Sequence, residues 1–168
     1  MKTVLRKILL SVLAITICMS IGNYSVVVEA AVPENYLGRV IDGSILTNAP
    51  ESEDTKQILT RGNILNKGTA KCVNSGDGKV TAAGITLAHQ VCDNIRMVIS
   101  LDQFDEQSDS WYSFETWNVS KQNASMYMES FKVDVELGHF YRVRGYHSAE
   151  KGDLIESVDT CTDGIWIE

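Results

Sequence analysis

From Gln57 onward apolar residues recur at every second position, and no helix of convincing length competes with that pattern. Ile95, Met97, Ile99 and Leu101 alternate with Arg96, Val98 and Ser100, while Phe131, Val133, Val135 and Leu137 alternate with Lys132, Asp134 and Glu136. Strand side chains point to opposite faces in turn, so each series buries one face and wets the other. Turn-forming residues separate the runs: Asn74-Ser75-Gly76-Asp77-Gly78, the acidic stretch from Asp102 to Ser110, Gly138, and Lys151-Gly152-Asp153. Strands are expected near 57–65, 69–74, 79–89, 94–101, 111–118, 127–137, 140–147, 154–160 and 164–167. Gly84 shifts the phase of Val80 and Ala82 against Ile85 and Leu87, which suggests a bulge. The expected fold class is all-β, an antiparallel β-sandwich with a barrel as the alternative, built from eight or nine short strands. A hairpin around Gly138 would set Glu136 opposite Arg142 and Asp134 opposite Arg144, with Val133, Val135, Tyr141 and Val143 sharing the buried face.

Two segments precede this domain. Lys2, Arg6 and Lys7 form a positive start, and Ile8 to Ile21 is an apolar run broken by Ser11, Thr16 and Ser20. Val28-Glu29-Ala30 then places small or short residues where signal peptidase requires them, so residues 1–30 read as a signal peptide cut after Ala30. The apolar run is shorter than the roughly 20 residues of a bilayer crossing, which makes a retained membrane anchor the alternative reading. Residues 31–56 carry little apolar periodicity, are punctuated by Pro33, Gly38, Gly43 and Pro50, and include Glu51-Ser52-Glu53-Asp54. They read as a flexible acidic arm, followed by the β domain at 57–168.

Charge narrows the partners. The chain carries -7 at pH 7, and removal of three basic residues and one acid with the leader leaves it more acidic still. Phosphate backbones attract basic surfaces, so nucleic acid is not an expected partner. The membrane is met only through the leader.

Candidate sites are few. Cys72 and Cys92 could close a loop across a hairpin as a disulfide, leaving Cys161 over. Neither Cys–His catalysis nor a known hydrolase motif is written into the chain, though Glu115 with Asp134 or Glu136 could form a hydrolase carboxylate pair. Asp102, Asp105, Glu106 and Asp109 offer hard oxygen ligands suited to Ca2+, but their spacing lacks the helical calcium-loop pattern. Trp111 and Trp117, placed on one face by alternation, could stack on sugars. Arg142 and Arg144 point the same way and could grip a carboxylate or phosphate.

The segments Arg61-Gly62-Asn63-Ile64-Leu65-Asn66-Lys67-Gly68, Gly84-Ile85-Thr86-Leu87-Ala88 with Cys92-Asp93, Tyr141-Arg142-Val143-Arg144-Gly145-Tyr146-His147, and Thr162-Asp163-Gly164-Ile165-Trp166, together with Trp111 and Trp117, resemble a family of small secreted proteins from Gram-positive, clostridia-like bacteria. The resemblance spans about 57–168 and implies an extracellular β-rich domain. It implies no activity and no site residue. The function expected is a non-enzymatic extracellular binding module for a glycan or protein ligand; the alternatives are a carbohydrate-binding module, a secreted hydrolase or a competition-type effector.

Overall fold

The structure, a computed structural model, describes residues 31–58 and 63–168. The expected signal peptide and the Arg61-Gly62 pair of the family-like segment lie outside the described residues. Among those residues there are nine strands and no helix: β1 (Val40–Ile41), β2 (Ser44–Thr47), β3 (Glu51–Gln57), β4 (Leu65–Asn74), β5 (Lys79–Asp105), β6 (Ser110–Asp134), β7 (His139–Lys151), β8 (Leu154–Cys161) and β9 (Gly164–Ile167). The fold is all-β, a single curled sheet ordered β1-β2-β9-β7-β5-β4-β3, with β6 on β5 and β8 on β7. One pairing, β2 with β9, is parallel.

Strand β5 organises the fold. The expected runs at 79–89 and 94–101 are one 27-residue strand, bent where His89, Gln90 and Val91 are successively exposed. Its first half pairs with β4 and its second half with β7, while β6 follows it along both halves. The register to β6 jumps between Leu87 and Cys92, the point at which the hairpin folds over. Bending a long hairpin brings its two halves face to face, so one chain segment supplies both walls of the core.

That curl carries β3 round to β8. No backbone ladder joins them; side chains close the seam. Asp54 Oδ2 accepts from the Cys161 amide at 2.9 Å, and Ser52 Oγ accepts from the Asp163 amide at 2.9 Å. The expected arm is therefore structured over residues 40–57, because Ser52 and Asp54 satisfy an edge that would otherwise be bare. Tyr36, Leu37 and Ile41 also pack on the cluster of Leu46, Phe104, Phe140 and Trp166.

Three further expectations change. Gly84 is no bulge: the β4 and β6 registers run straight through it. It faces inward because a Cβ there would meet Ile99 Cδ1 at 2.8 Å, while Ile85 and Leu87 turn outward. The Gly138 hairpin does not form. β7 pairs with β5 instead, setting Arg142 opposite Asp102 and Arg144 opposite Ser100, although Val133, Val135, Tyr141 and Val143 do share the main core. Finally, Phe114 is an extra residue in β6, since Leu101 pairs Glu115 but Asp102 pairs Ser113. A bulge reverses the facing of everything beyond it. Trp111 and Trp117 consequently lie on opposite faces.

His147 lies inside the curled sheet, fully buried. Its Nδ1 is 2.9 Å from Thr86 Oγ1 and its Nε2 is 3.0 Å from Thr160 Oγ1. Thr160 directs its own proton to the Gly145 carbonyl at 3.3 Å, so Nε2–H donates and Nδ1 accepts, which assigns the neutral Nε2–H tautomer. Strand β4 approaches this ring through Gly68, where an added Cβ would collide with His147 Cγ, Cδ2 (2.5 Å) and Cβ (2.8 Å). A ring tied at both nitrogens has nowhere to move. Gly68→Ala is expected to destabilise by about 1–3 kcal/mol, and Gly84→Ala, which meets Ile99 Cδ1 and Cγ1 and Met97 Sδ rather than a ring tied at both nitrogens, by less. Urea unfolding of the two variants side by side checks the ranking.

Candidate functional site

The outer face of β7 presents Arg142, Arg144 and Tyr146. Two rows cross it: Ser100, Arg144 and Cys161 in one, Val98, Tyr146 and Asp159 in the next. At the β9 end this face is covered by the β1–β2 hairpin. Arg142 is the anchor there, only 2% exposed. It donates to Asp102 Oδ2 (3.2 Å), Asp42 Oδ2 (3.0 Å), the Asp42 carbonyl (3.1 Å) and Ser44 Oγ (3.0 Å), and its guanidinium stacks 4.4 Å over Trp111. Asp42 and Gly43 turn with positive φ, which aims the Asp42 carbonyl and carboxylate at that guanidinium.

Beyond the Gly43 turn the face stays open. A cleft of about 410 Å³ is lined by Gly43, Asp54 and Lys56 on one side and by Ser100, Arg144, Tyr146, Asp159 and Cys161 on the other. At its edge Arg144 is held by Asp102, donating through Nε to Oδ2 (2.5 Å) and through Nη2 to Oδ1 (3.0 Å). This two-point bond holds the Arg144 guanidinium above its ordinary pKa. Lys56 pairs with Asp54 at 3.1 Å, and Asp54 also caps the Cys161 amide. Cys161 Sγ lies 3.3 Å from Ser44 Oγ. The three histidines are engaged elsewhere: His89 with Asn66, His139 beside Glu136, and His147 inside the curled sheet.

The residues singled out from sequence scatter. Cys72 and Cys92 are free thiols in separate buried clusters. Cys72 Sγ reaches the Tyr141 carbonyl at 3.7 Å, whereas Cys92, at the bend of β5, turns its Sγ to the Gln90 carbonyl at 3.4 Å, so no disulfide joins them. Burial raises the Cys72 thiol far above its usual range. Asp102 is buried between two arginines, Asp109 is clasped by Arg39 at 2.7 Å through both oxygens, and Glu106 is exposed. Asp105 caps its own turn through Gln107 N and Ser108 Oγ, bonds that pull its carboxyl below the usual range. Trp111 packs on Phe104 and donates to the Ile41 carbonyl, and Trp117 lies flat on Phe131 at 4.4 Å. Glu115 stands opposite Leu101, Asp134 pairs with Lys79 at 2.5 Å and Glu136 lies beside His139, and none of the three lines the cleft.

Of the nominated residues, only Arg144 lines the cleft. Tyr146, Asp159, Cys161, Asp54 and Lys56 were missed as a group. The alternation that puts Tyr146 on one face with Arg142 and Arg144 was available, but β3, polar on both faces, gives no apolar period to detect.

A family model described as "Family of unknown function (DUF6147)" matches residues 39–165. No curated protein and no solved structure matches the chain.

Proposed function

The chain belongs to this family of unknown function, and we propose from the site itself that it is a non-enzymatic binding module whose ligand seats in the cleft between β3, β7 and β8. Export to the extracellular space, in a Gram-positive host, belongs to the same proposal and rests on the leader-like residues 1–30 and the family resemblance. One observation carries the reading: a cleft of about 410 Å³, the size of a small-molecule site, framed by donors and acceptors from separate strands. Tyr146, 37% exposed at its wall, offers a ring face, which favours sugars or short peptides as ligands over purely apolar ones.

A mixture of monosaccharides, amino acids and acylated dipeptides at millimolar concentration, followed by saturation-transfer NMR on the full chain, tests the proposal. At least one component should receive saturation, and both Tyr146→Ala and Val98→Trp, which crowds the floor, should abolish it. No transfer to any component, or transfer that survives both substitutions, overturns it.

A further inference from the structure

We infer that the Arg144 end of this cleft is a seat for a carboxylate-bearing small ligand, a uronic-acid sugar or the C-terminus of a short peptide. The inference rests on the cleft being the ligand seat and names what it takes.

The argument starts with Asp102. One carboxylate, 1% exposed, serves two guanidinium groups, Arg142 and Arg144. Arg142 has a second anion in Asp42, but that carboxylate is 80% exposed on its outer side, so water screens it. Asp42 also acts on Arg144, so Asp102 and Asp42 balance the two guanidiniums in charge, and what Arg144 adds on its half-exposed side is a fixed donor. Its Nε and Nη2 are spent on Asp102, while Nη1 has no partner among the described residues. A guanidinium whose rotamer is already fixed from behind loses little entropy on gripping a planar anion.

The rest of the same wall has the complementary character. Asp159 and the Tyr146 ring flank the same floor, so a ligand whose acid meets Arg144 places its neighbouring hydroxyl or amide N–H toward an acceptor and its body against a ring. Lys56 and Asp54, already paired to each other, add no net charge. A phosphate dianion would bring more negative charge close to Asp159 and Asp54 than one guanidinium offsets, which is why the single charge of a carboxylate fits better.

The test is a set of matched pairs titrated into the full ¹⁵N-labelled chain: D-glucuronate against D-glucose, and N-acetyl-Ala-Ala against its C-terminal amide. Amide shifts at Gly145, Tyr146 and Cys161 report the cleft. At least one acid should bind there ten times or more tightly than its neutral partner, with the advantage shrinking as salt rises, and which acid does so identifies the source. Arg144→Gln should erase the difference between partners, and Arg144→Lys should keep part of it; dispersed spectra establish that each variant is folded. Equal affinity of acid and neutral partner, with shifts confined to the cleft, overturns the carboxylate seat and leaves the cleft reading standing. Shifts located elsewhere overturn both.

Discussion

Asp102→Ala should cost about 3–5 kcal/mol of stability, the effect expected when one partner of a buried ion pair is removed and the other charge stays behind. Asp102 is buried under the β1–β2 hairpin together with Arg142, which is 2% exposed and cannot turn out to water without lifting that hairpin off the sheet. Asp42 Oδ2 remains 3.0 Å from the guanidinium and softens the loss toward the lower end of the range. Asp102→Asn, which keeps an acceptor, should lose less. The pair Asp102→Leu with Arg142→Met should recover most of the loss, because it removes both desolvated charges at once. Urea unfolding of the single and double variants, read as a cycle, measures the coupling. If Asp102→Ala unfolds with the midpoint of the parent chain, the network does not hold the hairpin in place. The same variant frees Arg144, so weakened binding in the cleft should accompany the lost stability.

The strand content was legible because burial imposes a period of two wherever one face is wet. Ile95 to Leu101 obey it within β5 and Phe131 to Asp134 within β6, while Val135 to Leu137 run past the end of that strand. What alternation cannot carry is pairing. The interruption at His89-Gln90-Val91 reads identically as a turn between two strands or as a bend within one, and the choice decides whether β7 meets β6 or β5. The bulge at Phe114 leaves no glycine to mark it, so the two tryptophans kept an apparent common face that the backbone does not give them. The site was harder still. Arg142 and Arg144 were visible as a pair, yet their partner, Asp102, was read as one carboxylate of an acidic loop. One side of the cleft carries Asp54 and Lys56 of β3, a strand held by a seam closed by side chains, a contact no local pattern encodes.

Lowering the pH from about 6.5 to about 4 should remove roughly 3 kcal/mol of stability through His147 alone. Burial pushes its folded pKa down to about 4, with Asp54 the one charge that opposes the shift, against about 6.5 for an unfolded histidine. Between those values the unfolded chain binds a proton that the folded chain refuses, so stability is complete above about 6.5 and falls as pH drops. The residue contributes no further loss below about 4. The steepest slope is about 1.4 kcal/mol per pH unit, one proton's worth. His147→Gln can still bond Thr86 and Thr160 but cannot titrate, so its stability should be nearly flat across the window in which the parent chain declines. Parallel slopes for the two proteins would mean that acid acts elsewhere. Protonation would introduce a charge that Asp54 only partly offsets, against Gly68, Gly145 and two threonines inside the curled sheet, where expansion is the one available relief. Acid should therefore open the β3–β8 seam that frames the cleft before the outer β5–β6 hairpin melts. Hydrogen exchange at pH 4.5 should show the Cys161 and Asp163 amides, both held across that seam, losing protection ahead of Ile99 in the β5 ladder.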